Sequence, residues 1–405
     1  MNIIMLSPGF PVEQPFFTRG LAANGHRVIG LGDQQESQLP SIARDSLVAH
    51  LQIPSLTDEA AVFAKVADAV NTVGIDRIEC TWEPFMVLAA KLREKFGLPG
   101  MTVEQTLPFR DKEKMKQVLD QNGIRTPHHY STTTSEGVRE AAKKIGYPIC
   151  VKPIAGAGSA DTYRVDDDDQ LQRILPLLGH VQEVSVEEFI EAEEFTFDTV
   201  CVDGEIKFFN ICSYRPRPLL GRSHQWISQQ TIAVRDVLDP FFDSGRKMGQ
   251  AVLKALGFRN GFTHMEWYRK EDGEAVFGEI AARPPGAHTV DLMNFANDFD
   301  IYNGWGEAVT RGTFSQPITR AFNAGHIFKR AQGEGRIQRI EGLQGLMADY
   351  GEHFCVVDLL PIGAPRRDWK KTLRSDGMLI VRHPDFGTTC EILDQIGIRL
   401  QMYAG

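Results

Sequence analysis

Two glutamates carry the strongest chemical suggestion in this sequence. Glu266 lies in Thr263-His264-Met265-Glu266-Trp267 and Glu279 in Phe277-Gly278-Glu279-Ile280, with Asp272-Gly273 between them. Asp-Gly is a favoured hairpin turn, so strands Gly261–Arg269 and Ala275–Ala281 should bring the two carboxylates together on neighbouring strands. Two buried carboxylates without partners are costly, and a divalent cation bound by oxygen ligands relieves the cost. A solvated hairpin surface is the plain alternative. Directly after it comes Ala281-Ala282-Arg283-Pro284-Pro285-Gly286-Ala287-His288. The Pro-Pro turn delivers Arg283 beside the pair, where its fork could hold a carboxylate or phosphoryl oxygen, or form a structural ion pair. His288 is the weaker candidate, since a His near a helix start commonly serves only as a hydrogen-bonding residue.

Further pieces suit an anion. Lys112 stands at a helix start, Lys152 at a strand end, and Ala155-Gly156-Ala157-Gly158-Ser159-Ala160 follows Lys152 at once. Small residues let backbone N–H groups approach polyphosphate oxygens. The loop is not a P-loop, because the lysine precedes the glycines. In Val186-Glu187-Glu188-Phe189-Ile190-Glu191-Ala192-Glu193-Glu194-Phe195-Thr196 an apolar strand end leads through an acidic link into a new strand. Backbone groups at such a hinge can pair with a purine edge, and a carboxylate shortly after can hold ribose hydroxyls. A charged surface turn would look the same.

These residues need a scaffold. Asn2 to Leu6 reads as a buried strand, Glu13 to Asn24 as a helix and His26 to Gly32 as a second strand, the opening of a parallel α/β layer that runs to about residue 100. Its first turn, Ser7-Pro8-Gly9-Phe10, lacks the dinucleotide-binding glycines. A helical region with Lys112, Lys114 and Lys116 follows. Asp166-Asp167-Asp168-Asp169 should cap a helix. Strands then dominate from Val181 to Ala281, interrupted by a helix from Asp239 to Leu256, and helices are expected at Thr289 to Asn297 and Ile301 to Arg311. From about Ala321 the reading is of short strands. The insertion between Cys212 and Thr231, rich in arginine and aromatic residues, could cover a substrate. Glu83, at a strand's C-terminal end, reads most simply as a helix cap.

Taken in order, the pieces resemble the ATP-grasp superfamily, and among its members carboxylate–amine ligases with a biotin-carboxylase-like domain arrangement. The resemblance implies an α/β and α+β chain: a pre-ATP-grasp parallel-sheet domain at 1–100, an ATP-grasp nucleotide domain at 101–320 and a small C-terminal α+β domain at 321–405. It implies that Lys112 and Lys152 hold ATP phosphates under a lid containing Gly156, Gly158 and Ser159. Glu187, Glu188, Phe189 and Ile190 match the hinge, with adenine on the Glu188 and Ile190 backbone and Glu194 on the ribose. Glu266 and Glu279 match the Mg2+ carboxylates. The arginine of Glu-Ile-Asn-x-Arg falls on Arg283, while the usual Asn is Ala281 here, which leaves one metal oxygen to be supplied by water or substrate. The implied reaction activates a carboxylate as an acylphosphate and joins it to an amine, releasing ADP and phosphate. A bicarbonate-using carboxylase component and a non-catalytic nucleotide-binding protein are the alternatives.

Composition agrees with a small-molecule enzyme. The 405 residues are 42% hydrophobic and 24% charged, with a net charge of −9, which disfavours a general grip on nucleic acid or anionic lipid. Cysteines 80, 150, 201, 212, 355 and 390 form no Cys-x-x-Cys pair, so a reducing compartment is expected. The N-terminus lacks a secretion signal and no window reaches the roughly 18–20 apolar residues of a membrane span. The expectation is a cytoplasmic protein with ATP, Mg2+ and small carboxylate and amine substrates; the family resemblance admits a homodimer.

Overall fold

The computed structural model describes residues 1–154, 161–369, 372 and 375–405. Strands Asn2–Leu6, Arg27–Gly32, Leu47–Gln52 and Arg77–Glu79 form a parallel sheet in which the first strand lies between the second and the fourth, and the third is an edge. Ile3, Ile4, Met5 and Leu6 are all fully buried, as a parallel strand covered on both faces must be. Alternation sends Ile4 and Leu6 to one cluster with Val62, Val66, Leu88 and Leu92. Ile3 and Met5 go to the other, with Phe17, Leu21 and Trp305.

The second cluster draws on distant sequence, because Trp305 belongs to helix Ile301–Arg311. Helix Gln14–Ala23 crosses this helix at very short range: a Cβ at Gly20 would lie 2.2 Å from the Tyr302 carbonyl oxygen, and one at Gly306 would lie 2.7 Å from the Gly20 oxygen. Asn24 Nδ2 donates to the Asn303 carbonyl at 3.0 Å and its Oδ1 at 2.7 Å, and Arg19 pairs with Asp300 at 2.6 Å. The glycines therefore seat the N-terminal sheet against the rest of the chain.

Two further sheets enclose a seam. A small antiparallel sheet contains His129–Thr132, Val184–Glu188, Ile149–Pro153 and Tyr163–Val165, in that order. The large antiparallel sheet runs Ala275–Ala281, Gly261–Arg269, Glu193–Val202, Cys212–Arg215, Gln230–Ala233, Asn323–Lys329, Gly377–His383 and Phe354–Leu359, with Glu205–Asn210 also on Glu193–Val202. Consecutive strands Val184–Glu188 and Glu193–Val202 thus lie in different sheets, and residues 189–192 are the link between them. Strand Glu205–Asn210 ends at Asn210, and Cys212–Arg215 then takes up a separate position beside Glu193–Val202. Past residue 320, three strands extend the large sheet. The reading of that region as short strands misses helix Phe386–Arg399, whose Ile392, Leu393 and Ile396 are buried at helical spacing. Asp167 caps the helix after it, as the acidic run predicts, accepting from the Gln170 N–H at 2.7 Å.

Gly20→Ala tests the helix crossing. In an open helix the change would add about 1 kcal/mol. Here the methyl group meets a carbonyl, so urea unfolding should register a net loss of about 1–3 kcal/mol, and a gain would show that the helices do not touch at this point.

Candidate active site

Glu266 and Glu279 stand directly opposite each other across the Asp272-Gly273 hairpin, and the register shifts one residue further on. Gly278 permits this irregularity, since a Cβ there would come within 2.7 Å of the Glu266 carbonyl oxygen. Glu266 is aimed by neighbours on the same sheet face. Tyr214 donates its hydroxyl to Glu266 Oε1 at 3.0 Å, and His264 Nε2 lies 3.6 Å from the same oxygen. The other His264 nitrogen meets buried Asp198 at 2.6 Å. Burial works against the His264 charge, but bonds to Asp198 and Glu266 raise its pKa to about 9, so the ring is an imidazolium. On the partner strand, burial would raise the Glu279 carboxyl, but Lys112 and Lys152 hold it at about 2. Lys112 Nζ sits 2.9 Å from Glu279 Oε2.

The lysines come from opposite sides. Asp111 caps helix Lys112–Gln121 by accepting from the Glu113 and Lys114 N–H groups. Positions 112, 115, 116 and 119 form the buried face of that helix, as i, i+3, i+4 spacing requires. Lys116 is thereby carried inward, only 1% exposed, to pair with Glu187. Lys152, at the end of its strand in the small sheet, reaches the other Glu187 oxygen at 2.9 Å. Burial alone would raise the Glu187 carboxyl; the two ammonium groups hold it well below the ordinary range. Burial pulls the Lys116 pKa below its ordinary value, and the Glu187 charge opposes that fall.

At the link between sheets, the Glu188 and Phe189 N–H groups donate to the His128 and Pro148 carbonyls. The Glu188 carboxylate takes Arg125 and the His128 N–H. The Phe189 ring lies between the Arg164 and Arg217 guanidiniums. Buried Glu194 accepts from Arg217. Burial first, then the Glu266 charge, push its carboxyl up to about 8, against the pull of Arg217.

Arg283 and His288 dock on the C-terminal ends of the parallel strands, where such sheets form ligand crevices. Arg283 Nε and Nη2 both donate to Glu83 Oε2, at 2.8 and 2.7 Å, and Nη1 donates to the Pro284 carbonyl. Three of its five donors are thus engaged, and two have no partner among the described residues. Glu83 does not serve as the helix cap expected of it; it gathers Arg283 and Arg110. The cavity of about 440 Å³ behind Arg283 is lined by Arg77, Glu79 and Arg93 and includes neither hairpin glutamate nor Lys112 nor Lys152. His288 has a left-handed backbone, φ 61°, and its N–H donates to Glu13 Oε1 at 2.9 Å. Its Nδ1 faces Asp291 Oδ2 at 2.8 Å, while buried Nε2 has no hydrogen-bond partner among the described residues.

The seam thus gathers Glu266, Glu279, Glu187 and Glu194 with Lys112, Lys116, Lys152 and Arg217. Gly156, Gly158 and Ser159 lie outside the described residues. Among those described, no three His, Cys, Asp or Glu side chains form a ligand cluster. A Mg2+ ion does not need one, since it is commonly held by one or two carboxylates together with phosphate oxygens and water; here the Glu279 carboxylate is neutralised by the Lys112 ammonium group. Lys116 and His264 escaped the sequence reading although both signals were present: Lys116 is one turn beyond Lys112, and His264 shares a strand face with Glu266. No helix among the described residues is long and apolar enough to cross a membrane.

Replacing Lys116 by Met leaves Glu187 with Lys152 alone and should cost roughly 3 kcal/mol of unfolding free energy at neutral pH. Without Lys116 the folded-state Glu187 pKa rises, so this carboxyl protonates more readily and the deficit should shrink as pH falls below about 5. Denaturant unfolding at several pH values measures this; a deficit that grows in acid would contradict the pairing.

Residues 117–296 match the family model of the ATP-grasp domain. An L-arginine-specific L-amino acid ligase of Bacillus subtilis is 29% identical over 241 residues, covering 58% of this chain and 57% of that protein. An alanine–anticapsin ligase of Bacillus subtilis (strain 168) is 25% identical over 290 residues, covering 61% and 60%. The chain thus spans less than two thirds of the length of these relatives. The crystal structure of L-amino acid ligase from Bacillus licheniformis superposes with a TM-score of 0.80 over 100% of this chain and 99% of that one, at 20% identity, a likeness of fold. The ATP-grasp match thus falls on residues 117–296, which carry most of the seam, and the arrangement of two sheets behind a parallel sheet is the fold shared with that ligase structure.

Proposed function

We propose that this protein is an ATP-dependent carboxylate–amine ligase that forms ADP and phosphate, with amino acids as its substrate class. The supporting observation is the convergence of Lys112 and Lys152, from different elements, on carboxylates of the seam, with Arg283 following the hairpin directly. The amino-acid assignment draws on the ligases it is similar to. Adenine would lie against the link, on the Glu188 carbonyl and Ile190 N–H, with the ribose on Glu194. Lys112 and Lys152 would align the phosphates. Glu266 and Glu279 would hold Mg2+, which when bound supplies charge neutralisation at the terminal phosphates.

The two remaining Arg283 donors would orient the substrate carboxylate. One of its oxygens attacks the γ-phosphorus, ADP leaves, and an acylphosphate is formed. The amine nitrogen then attacks the acyl carbon, and the Arg283 donors stabilise the tetrahedral oxyanion before the C–O bond to phosphate breaks. The amine must lose a proton. With its Nδ1 proton directed to Asp291, the Nε2 lone pair of His288 would accept it.

Ala281 supports a single-cation arrangement. It pairs with His264 across the ladder, so an imidazolium stands beside Glu266 on the face where an amide at 281 would project. Mn2+ titration with a non-hydrolysable ATP analogue should therefore give one bound ion per nucleotide, and two would refute this arrangement. Coupled ADP release should require an amino acid pair and stop in Glu279→Gln. Turnover dependent on bicarbonate alone would assign the chain to the carboxylases, and ATP binding without turnover on any substrate would make it a non-catalytic binder. His288→Gln should lower kcat by about 10²-fold with ATP affinity unchanged; equal losses in both would reduce His288 to a structural residue.

A further inference from the structure

The segment between Cys212 and Thr231 enters the nucleotide seam through Tyr214, on Glu266, and through Arg217, on Glu194. Arg217 precedes the short helix Pro218–Ser223 and turns back toward the link between sheets. Its Nε donates to Glu194 Oε2 at 3.2 Å and its Nη1 to the Ile190 carbonyl at 2.9 Å. Its guanidinium carbon lies 4.7 Å from the Phe189 ring centroid and 5.1 Å from that of Tyr268. Tyr268 pairs with Glu194 across the ladder, so the ring and the carboxylate that hold Arg217 stand on neighbouring strands. This is no exposed surface pair, since the Arg217 and Glu194 side chains are 17% and 6% exposed. The far end of the segment is fastened elsewhere: Arg330 Nη1 takes the Gly221 and His224 carbonyls, and Arg215 pairs with Asp394.

We propose that Arg217 is a positioning residue for the nucleotide, fixing Glu194 for the ribose hydroxyls so that the 213–230 segment forms the sugar side of the site. The inference rests on the assignment of Glu194 to the ribose made above. Two features favour it over a merely structural bond. Arg217 engages only Oε2 of Glu194, leaving the other oxygen for a hydroxyl. Its guanidinium is also fixed by the Phe189 and Tyr268 rings and the Ile190 carbonyl, so the side chain that holds Glu194 is itself held in place.

The test is a ratio, obtained by calorimetric titration of the full chain with ATP and with 2′,3′-dideoxy-ATP in Mg2+ buffer. The wild type should bind ATP at least about tenfold more tightly, the difference carried by hydroxyl bonds to the Glu194 carboxyl. In Arg217→Gln that preference should fall to within about threefold, with Glu194→Gln giving the same value and the double variant no further loss. Arg217→Lys, which keeps the charge, should restore most of it. Arg217→Met retains the packing between Phe189 and Tyr268 and carries the same test where the Gln variant does not fold. Equal weakening of both nucleotides, with the wild-type ratio preserved, would overturn the proposal while leaving the ligase reading intact. Failure of the wild type to bind ATP at all would overturn both.

Discussion

Opposite charges packed into the seam between two sheets must neutralise one another, and much of the architecture follows from that requirement. Glu187 is buried with Lys116 and Lys152 on its two oxygens, Glu279 with Lys112, Glu194 with Arg217, Glu83 with two arginines. Stranding any of these carboxylates would cost far more than an ordinary surface pair contributes. The elements that deliver the cations are therefore constrained as tightly as the core: a capped helix for Lys112 and Lys116, a strand end for Lys152, a fastened segment for Arg217. A nucleotide accompanied by its cation could enter on these terms. On the reading proposed above, Glu279 would hold the cation and Lys112 would turn to phosphate, so that neither charge would be left bare.

The parts of this site visible in the sequence were those written in local spacing. The Asp272-Gly273 turn put Glu266 and Glu279 on neighbouring strands, and the one-residue shift at Gly278, which the sequence did not reveal, set them directly opposite each other; the Pro-Pro segment marked Arg283 by an equally local signal. The N-terminal parallel layer was legible from alternating apolar runs and helix stops. Partners separated by long stretches of chain were not. Arg283 meets Glu83 across 200 residues and His288 meets Glu13 across 275, distances over which no periodicity operates. Lys116 was hidden differently. In a helix with three lysines, one charged residue looks like another until the burial of Met115 and Leu119 reveals which face turns inward.

The C-terminal region shows a similar contrast. Helix Phe386–Arg399 follows a polar turn, and its apolar positions are diluted by Thr, Asp and Gly, so short-strand patterning took precedence over a 3.6-residue period. Its burial depends on the large sheet, to which strands Asn323–Lys329 and Gly377–His383 are added side by side. Ile392, Leu393 and Ile396 cover that extension together with Ile327 and Val381.

That extension makes the last part of the chain a continuation of the sheet that bears Glu194 and Glu266. Strand Gln230–Ala233 pairs with Cys212–Arg215 on one side and Asn323–Lys329 on the other, so the segment between residues 215 and 230 begins and ends at the centre of one continuous ladder. Arg330 follows the last strand of that trio directly and grips the segment by two carbonyls. Moving these strands would move Arg217 relative to Glu194 unless the segment deformed, and its bonds to Arg330 and Asp394 resist deformation. A region with no reacting group of its own can thus govern the seam through sheet geometry, which is a physical reason for the ladder to run unbroken from the glutamate hairpin into the C-terminal strands.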